Sequence, residues 1–336
     1  MDWITVTVTA IVALILLRYI WRNYRYGVTK KVRSESGPEP SSAVCKSPSC
    51  ARCQSQAYDA TSVKQQLMES FTAYIMDNQN SFNSDSSQKS IKNLPRVLHT
   101  INSIDKKLQV LRQSCRGSDY EFDHSESHPH IWWMPDLNRS AFWDVSDNVE
   151  LQNVATIFES LETLELLQQE YTNAYSKPLL WKDNSVPSGT WRIFHLYDQG
   201  CRVSMNCSVC PQTTTLLDSV FGLMRGCVYG NAMISVLGPG SEIEAHTGPC
   251  NFRLRCHLAL SESDNYMIQV GREVRSWELG KLMVFDDSFV HRVWHKGGED
   301  DKERVILIFD VWHPGVQLEE RYSLKHLFHS GHSLNY

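Results

Sequence analysis

Between Trp191 and Val311 the chain breaks into a succession of short β-prone runs, and this limits the fold more than any other feature. The runs lie at 191–197, 231–236, 253–260, 266–270, 281–285, 292–294 and 304–311, each dominated by Val, Ile, Leu, Met or aromatic residues. Turn signals part them: PSG at 187–189, GPG at 238–240 and KGGEDD at 296–301. No helical period alternates with the runs, so a parallel βαβ sheet is excluded. Many short strands separated by tight polar turns predict an all-β core, a sandwich or double-sheet jelly roll.

The side chains on those runs carry the chemistry. In a strand over 253–260, Arg253, Arg255, His257 and Ala259 share one face, and Leu254, Cys256, Leu258 and Leu260 share the other. By parity alone this could be a half-exposed strand with solvated arginines. Three other segments argue for more. The run KLMVFDDSFVH puts His291 after an acidic turn, Asp286-Asp287. Ser235 sits inside the apolar run NAMISVLGPG. Arg304 heads the apolar run RVILIFDVW and shares a face with Ile306 and Ile308. A guanidinium at the head of a buried strand is costly unless an anion meets it. Gathered inside one jelly roll, these residues would line an anion pocket beside His246 and His291.

The amino-terminal half has a different texture. Helices are predicted over 60–76 and 95–115, and over 149–175, where Leu151, Val154, Ile157, Phe158, Leu161, Leu164 and Leu167 recur at helical spacing. The stretch HSESHPH at 124–130 holds three histidines, but its proline and polar neighbours read as a surface loop. Residues 3–17, WITVTVTAIVALILL, form an apolar run that Arg18 and the interfacial Tyr19 and Trp21 extend to a candidate membrane span over 3–21. The expected organisation is therefore a membrane anchor (1–22), a linker with Cys45, Cys50 and Cys53 (23–57), a mainly helical region (58–178) and a β domain (179–336). The cysteine cluster suits a disulfide with one spare thiol, a palmitoylated site or a partial metal site, and its spacing does not choose among them. A net charge of −5 and the lack of a long basic block in the globular part give no electrostatic footprint for nucleic acid.

Three segments in order, HTGPCNFRLRCHLAL, FDDSFVHRVWH and RVILIFDVWHP, resemble the catalytic domain of the aspartyl/asparaginyl β-hydroxylase family. The likeness covers roughly residues 180–315. Over the whole chain, including the cluster CKSPSCARC and the element PSGTW, it is closer to the short aspartate β-hydroxylase domain-containing members. The resemblance implies a double-stranded β-helix fold and the activity of an Fe(II)- and 2-oxoglutarate-dependent dioxygenase. It further implies that His246 and His291 would be the metal ligands and the catalytic pair. By the same likeness Ser235 and Arg304 would hold the C5 carboxylate of 2-oxoglutarate, and Arg255 and His257 its C1 end. Arg253 would contact the acidic side chain of the substrate, an Asp or Asn of a protein or peptide, with O₂ as the other reactant. Gly248 stands where most iron sites of this kind carry a carboxylate, so water or an exogenous anion would take that position. Asp286 and Asp287 are candidate acids behind the ligands. A non-catalytic member of the fold, binding 2-oxoglutarate or an acidic partner, is the alternative. Lys and Arg on the carboxyl flank of the span would place the chain in the cytoplasm, whereas the resemblance implies a type II protein with a lumenal catalytic domain. The lumenal arrangement, in which Cys207 and Cys210 could pair, is the one expected here.

Overall fold

The structure is a computed structural model that describes residues 60–82, 94–104, 126–129, 131–262, 265–298 and 300–329. Seven α-helices occur among these residues: α1 (Ala60–Phe82), α2 (Leu94–Asn102), α3 (Val149–Phe158), α4 (Leu161–Tyr175), α5 (Ser204–Val209), α6 (Pro211–Ser219) and α7 (Leu318–Leu327). The strands are β1 (Phe142–Trp143), β2 (Lys182–Asn184), β3 (Trp191–Asp198), β4 (Cys201–Arg202), β5 (Ala232–Leu237), β6 (Glu242–His246), β7 (Arg253–Ala259), β8 (Tyr266–Val270), β9 (Glu273–Ser276), β10 (Leu282–Phe285), β11 (His291–His295) and β12 (Arg304–Trp312).

The larger sheet runs β1-β10-β7-β12-β5-β3-β2, with β4 paired to β3, and the smaller runs β6-β11-β8-β9. Numbered from β5 as the first of eight strands, the sheets have the orders 6-3-8-1 and 2-7-4-5. Every pairing is antiparallel. That alternation between two sheets is the jelly-roll order, so the β-rich expectation holds.

Parity then sorts the side chains. Leu254, Cys256, Leu258, Val305, Leu307 and Phe309 leave the larger sheet on its outer face and pack against Leu151, Val154 and Phe158 of α3 and Leu164 and Leu167 of α4. Met233, Leu237, Ala259, Ile306 and Ile308 point the other way and meet Tyr266, Ile268, Val270 and Val293 of the smaller sheet. A further cluster joins Leu67 and Phe71 of α1, Val97 and Ile101 of α2, and Leu324 and Leu327 of α7 around Cys250, Phe252 and Trp312.

Several expectations change. The single helix expected over 149–175 is two, because the Ser160 hydroxyl accepts from the Thr163 N–H at 3.0 Å and starts α4 afresh. The turn of direction leaves Leu161, expected in the apolar stripe, 72% exposed. The histidine-bearing β6 and the fully exposed β9 lacked an apolar run to announce them. Cys207 and Cys210 are separate buried thiols, their sulfurs donating to Leu196 O at 3.3 Å and Glu170 O at 3.6 Å.

The expected single-pass membrane localisation is likewise corrected: among the described residues no helix is long and apolar enough to cross a membrane. The run expected to span, 3–21, and the Cys45–Cys53 cluster lie outside the described residues.

Candidate active site

The site is built where the two sheets open beside the loops that follow β6 and precede β11. His291 is in register with His246 across the β6–β11 pair, and their ring centroids are 4.1 Å apart. Each ring makes the same local bond: Nδ1 of His246 to Glu244 O at 2.8 Å, and Nδ1 of His291 to Phe289 O at 2.9 Å. A carbonyl oxygen only accepts, so each Nδ1 carries the proton and each Nε2 keeps its lone pair, the form a metal ligand requires. Burial, together with the neighbouring His246, pushes the His291 pKa down to about 3, which keeps its ring neutral. This pair suits a divalent metal of the imidazole-binding kind. Among the described residues no group of three or more His, Cys, Asp or Glu side chains is placed to hold one, so any further ligand must come from elsewhere.

Gly248 explains part of that. Its N–H donates to Asp287 O at 2.5 Å, and a Cβ built on it would stand 2.5 Å from the Asp287 carboxylate carbon. The space a side chain at 248 would enter is filled by the carboxylate of Asp287. Burial alone would raise the Asp287 carboxyl, but the Arg253 and Arg255 guanidiniums outweigh it and hold it well below the usual range.

Arg253 is buried, with Nε 3.1 Å from Asp287 Oδ1, Nη2 on Asp287 Oδ2, and Nη1 on Tyr229 O and 3.5 Å from Asp310 Oδ2. All three of its nitrogens have partners inside the protein, so the residue expected to contact the substrate also forms an internal ion pair. Arg255 faces Asp310 across the β7–β12 register and is held by it bidentately, Nε–Oδ1 at 2.8 Å and Nη2–Oδ2 at 3.0 Å. Its remaining nitrogen, Nη1, is 3.8 Å from Asp287 Oδ2. Two guanidiniums and two carboxylates thus balance one another. Asp310 was not foreseen, though a lone acid inside RVILIFDVW on the face of Arg304, Ile306 and Ile308 was a usable signal.

Arg304 has no such partner among the described residues. Its guanidinium is buried, no acid among them pairs with it, and burial pushes its pKa down to about 9, so it stays charged at neutral pH. Nη2 donates to Ser235 Oγ at 3.2 Å, the Trp191 indole N–H donates to the same hydroxyl at 3.0 Å, and Nε has no partner. His257 is the second incomplete group. Its Nδ1 accepts from the Trp277 indole N–H at 3.3 Å, and its buried Nε2 has no partner. Burial first, then Arg304 and Arg255, hold its pKa well below the ordinary value, so the ring is neutral. Phe285 stands between this group and the metal pair, its ring 4.8 Å from His257 and 5.6 Å from His291. A buried cation without a counter-charge, with unsatisfied donors beside it, is a site for an anion. Ser235, His257 and Arg304 therefore form a pocket suited to an anion.

Residues 126–129, expected in a surface loop, bond to the loop that precedes β11, and residues 131–134 to the loop that follows β6. Ser127 Oγ meets Ser288 Oγ at 2.5 Å, and His128 N donates to Ser288 O at 2.8 Å. Ile131 N and Trp132 N donate to Pro249 O at 2.9 and 2.8 Å, and the Asn251 amide exchanges two 2.8 Å bonds with the Met134 backbone.

Asp286, in the loop before β11, has a buried Oδ2 without a partner, and burial pushes its pKa from 3.8 up to about 7. The folded protein then keeps a proton that the unfolded chain releases, so stability is full below pH 4 and falls as the pH rises to 7. Asp286→Asn should remove that fall, roughly 2–4 kcal/mol in all, and become the more stable protein at pH 8. Urea unfolding at pH 5 and pH 8 checks it; an unchanged difference between the two pH values would contradict the assignment.

The family model described as aspartyl/asparaginyl beta-hydroxylase matches residues 152–314. Human aspartate beta-hydroxylase domain-containing protein 2 is 31% identical over 340 residues, covering 97% of this chain and 84% of that protein. Its Xenopus tropicalis counterpart is 40% identical over 208 residues, 60% of this chain and 55% of that protein. Human aspartyl/asparaginyl beta-hydroxylase is 40% identical over 143 residues, 42% of this chain and 18% of that much longer protein.

Proposed function

The chain belongs to the aspartyl/asparaginyl β-hydroxylase family, and from that premise we propose that it is an Fe(II)- and 2-oxoglutarate-dependent dioxygenase that hydroxylates an Asp or Asn side chain of a protein or peptide. The observation that carries the reading is Arg304: a buried guanidinium without a carboxylate, next to Ser235, with an unpartnered Nε. A planar fork of this kind meets a carboxylate bidentately, and the C5 end of 2-oxoglutarate supplies one. Buried Nε2 of His257 and the one unbonded nitrogen of Arg255 then serve the C1 end.

His246 and His291 would hold the iron through Nε2, each ring oriented by its Nδ1–H on a backbone carbonyl. Bound Fe(II) with 2-oxoglutarate would supply the oxidative chemistry that inserts oxygen into a C–H bond. The protein's part is to orient and to exclude water. Phe285, Ile306 and Ile308 form the dry wall around the anion, and Asp287 keeps Gly248 bare so that a small ligand or water can complete the metal. Arg253, held by Asp287, Tyr229 and Asp310, would meet the acidic or amide side chain of the substrate from within that ion pair.

The test is succinate formation by the purified full chain with Fe(II), O₂, 2-oxoglutarate and a panel of Asp- and Asn-containing peptides. Turnover that stops when Fe(II) is omitted is the expected result. Binding of 2-oxoglutarate without succinate would identify a non-catalytic binding member, and no binding at all would sink the cosubstrate assignment.

A further inference from the structure

Trp277 belongs to no strand, yet it contacts both incomplete groups of the anion pocket. It is 1% exposed. Its indole N–H donates to His257 Nδ1 at 3.3 Å, with the two rings stacked at an interplanar angle of 18°. Its ring face also lies 4.7 Å from the Arg304 guanidinium carbon, a cation–π contact.

The first contact fixes a proton. An indole nitrogen only donates, so His257 Nδ1 must present its lone pair. A neutral imidazole has one ring proton, and that proton is therefore on Nε2. Nε2 is the buried atom without a partner, so an N–H donor is held in readiness there with no acceptor among the described residues. The second contact works on the other end of the pocket. Among the described residues Arg304 has no carboxylate to hold it, and the indole face with Ser235 takes that place without using up the unpartnered Nε. One side chain thus prepares a donor for each end of a dicarboxylate.

We propose that Trp277 is the positioning residue of the cosubstrate pocket, setting the His257 tautomer through its N–H and carrying Arg304 on its ring. This rests on the proposed 2-oxoglutarate function, and the experiment separates the two. In the full-length chain labelled with ¹⁵N-histidine, long-range ¹H–¹⁵N spectra report which ring nitrogen of each histidine carries the proton, and His257→Leu identifies the His257 signals. The expected result is a neutral Nε2–H ring for His257 in the unaltered protein. An Nδ1–H ring or an imidazolium there would overturn the proposal without any variant having to fold.

Trp277→Phe keeps a ring under Arg304 and removes the N–H. Titrated with 2-oxoglutarate in the presence of Mn(II), it should bind about tenfold more weakly than the unaltered chain. In a His257→Leu background the same substitution should cost less than twofold, since the N–H then has nothing to orient. An equal loss in both backgrounds would reduce Trp277 to packing and overturn its positioning role. If the unaltered chain shows the expected tautomer but binds no 2-oxoglutarate, the functional reading fails instead.

Discussion

Replacing Arg304 with methionine is expected to weaken 2-oxoglutarate binding at least a hundredfold while making the unliganded protein more stable. The two effects have one cause. Arg304 is a fully buried cation whose polar contacts are a single Ser235 hydroxyl and an indole face, and its Nε has no partner. Removing a charge from a low-dielectric interior with an apolar residue of similar volume typically stabilises by about 1–4 kcal/mol when no partner is stranded. Ser235 is not stranded, because Trp191 donates to the same hydroxyl. With a dicarboxylate bound, the balance reverses. A bidentate charge-assisted pair is lost, and a hundredfold corresponds to about 2.7 kcal/mol. Calorimetric titration with 2-oxoglutarate and Mn(II), with thermal unfolding of both proteins without ligand, measures the two arms. A variant that binds within a factor of ten of the unaltered chain would remove Arg304 from the site.

Restoring a carboxylate at position 248 should damage the protein rather than complete its metal site. Gly248→Asp would place a Cβ 2.5 Å from the carboxylate carbon of Asp287, a short side chain that Arg253 grips with two nitrogens and that has little freedom to withdraw. To the overlap it adds a second buried negative charge beside one already paired. Together these should cost upwards of about 4 kcal/mol, the range of severe core substitutions. Combining Gly248→Asp with Asp287→Gly removes the overlap and restores the charge count, and should recover at least half of the loss. Unfolding midpoints of the two variants read this directly. Equal stability of Gly248→Asp and the unaltered chain would mean that Asp287 does not reserve that space.

The sequence disclosed strands and inward-facing residues well because alternation is a local property. Parity alone put Arg253, Arg255 and His257 on one face, and they do share the inner face of β7. It also set Arg304 apart as a lone arginine at the head of an apolar run, costly there unless an anion meets it. Pairing across the fold was the part it could not disclose. That Asp310 faces Arg255 depends on the register of β12 against β7, and that Asp287 fills the space over Gly248 depends on how two distant loops meet. Both facts bear on Arg253, whose nitrogens also have partners inside the protein. Trp277 escaped notice for a related reason: it follows a short, fully exposed strand, with no periodicity to mark it as interior. The break between α3 and α4 was legible in principle, since Ser160 with Thr163 three residues on can cap a helix start, but the longer apolar period masked it.

The segments 126–129 and 131–134 bear on inheritance and transfer. The stretch shared with the wider family, 152–314, contains both histidines and every anion-holding side chain, yet the loops that follow His246 and precede His291 are also bonded to chain that precedes it. A chimaera that grafted 152–314 alone onto another protein would inherit the reagents of the site and the β6–β11 pairing that sets the two histidines in register. It would lose the outside bonds to Ser288, Pro249 and Asn251 that brace the loops beside them. Recombination that moves the preceding residues along with the stretch keeps that brace.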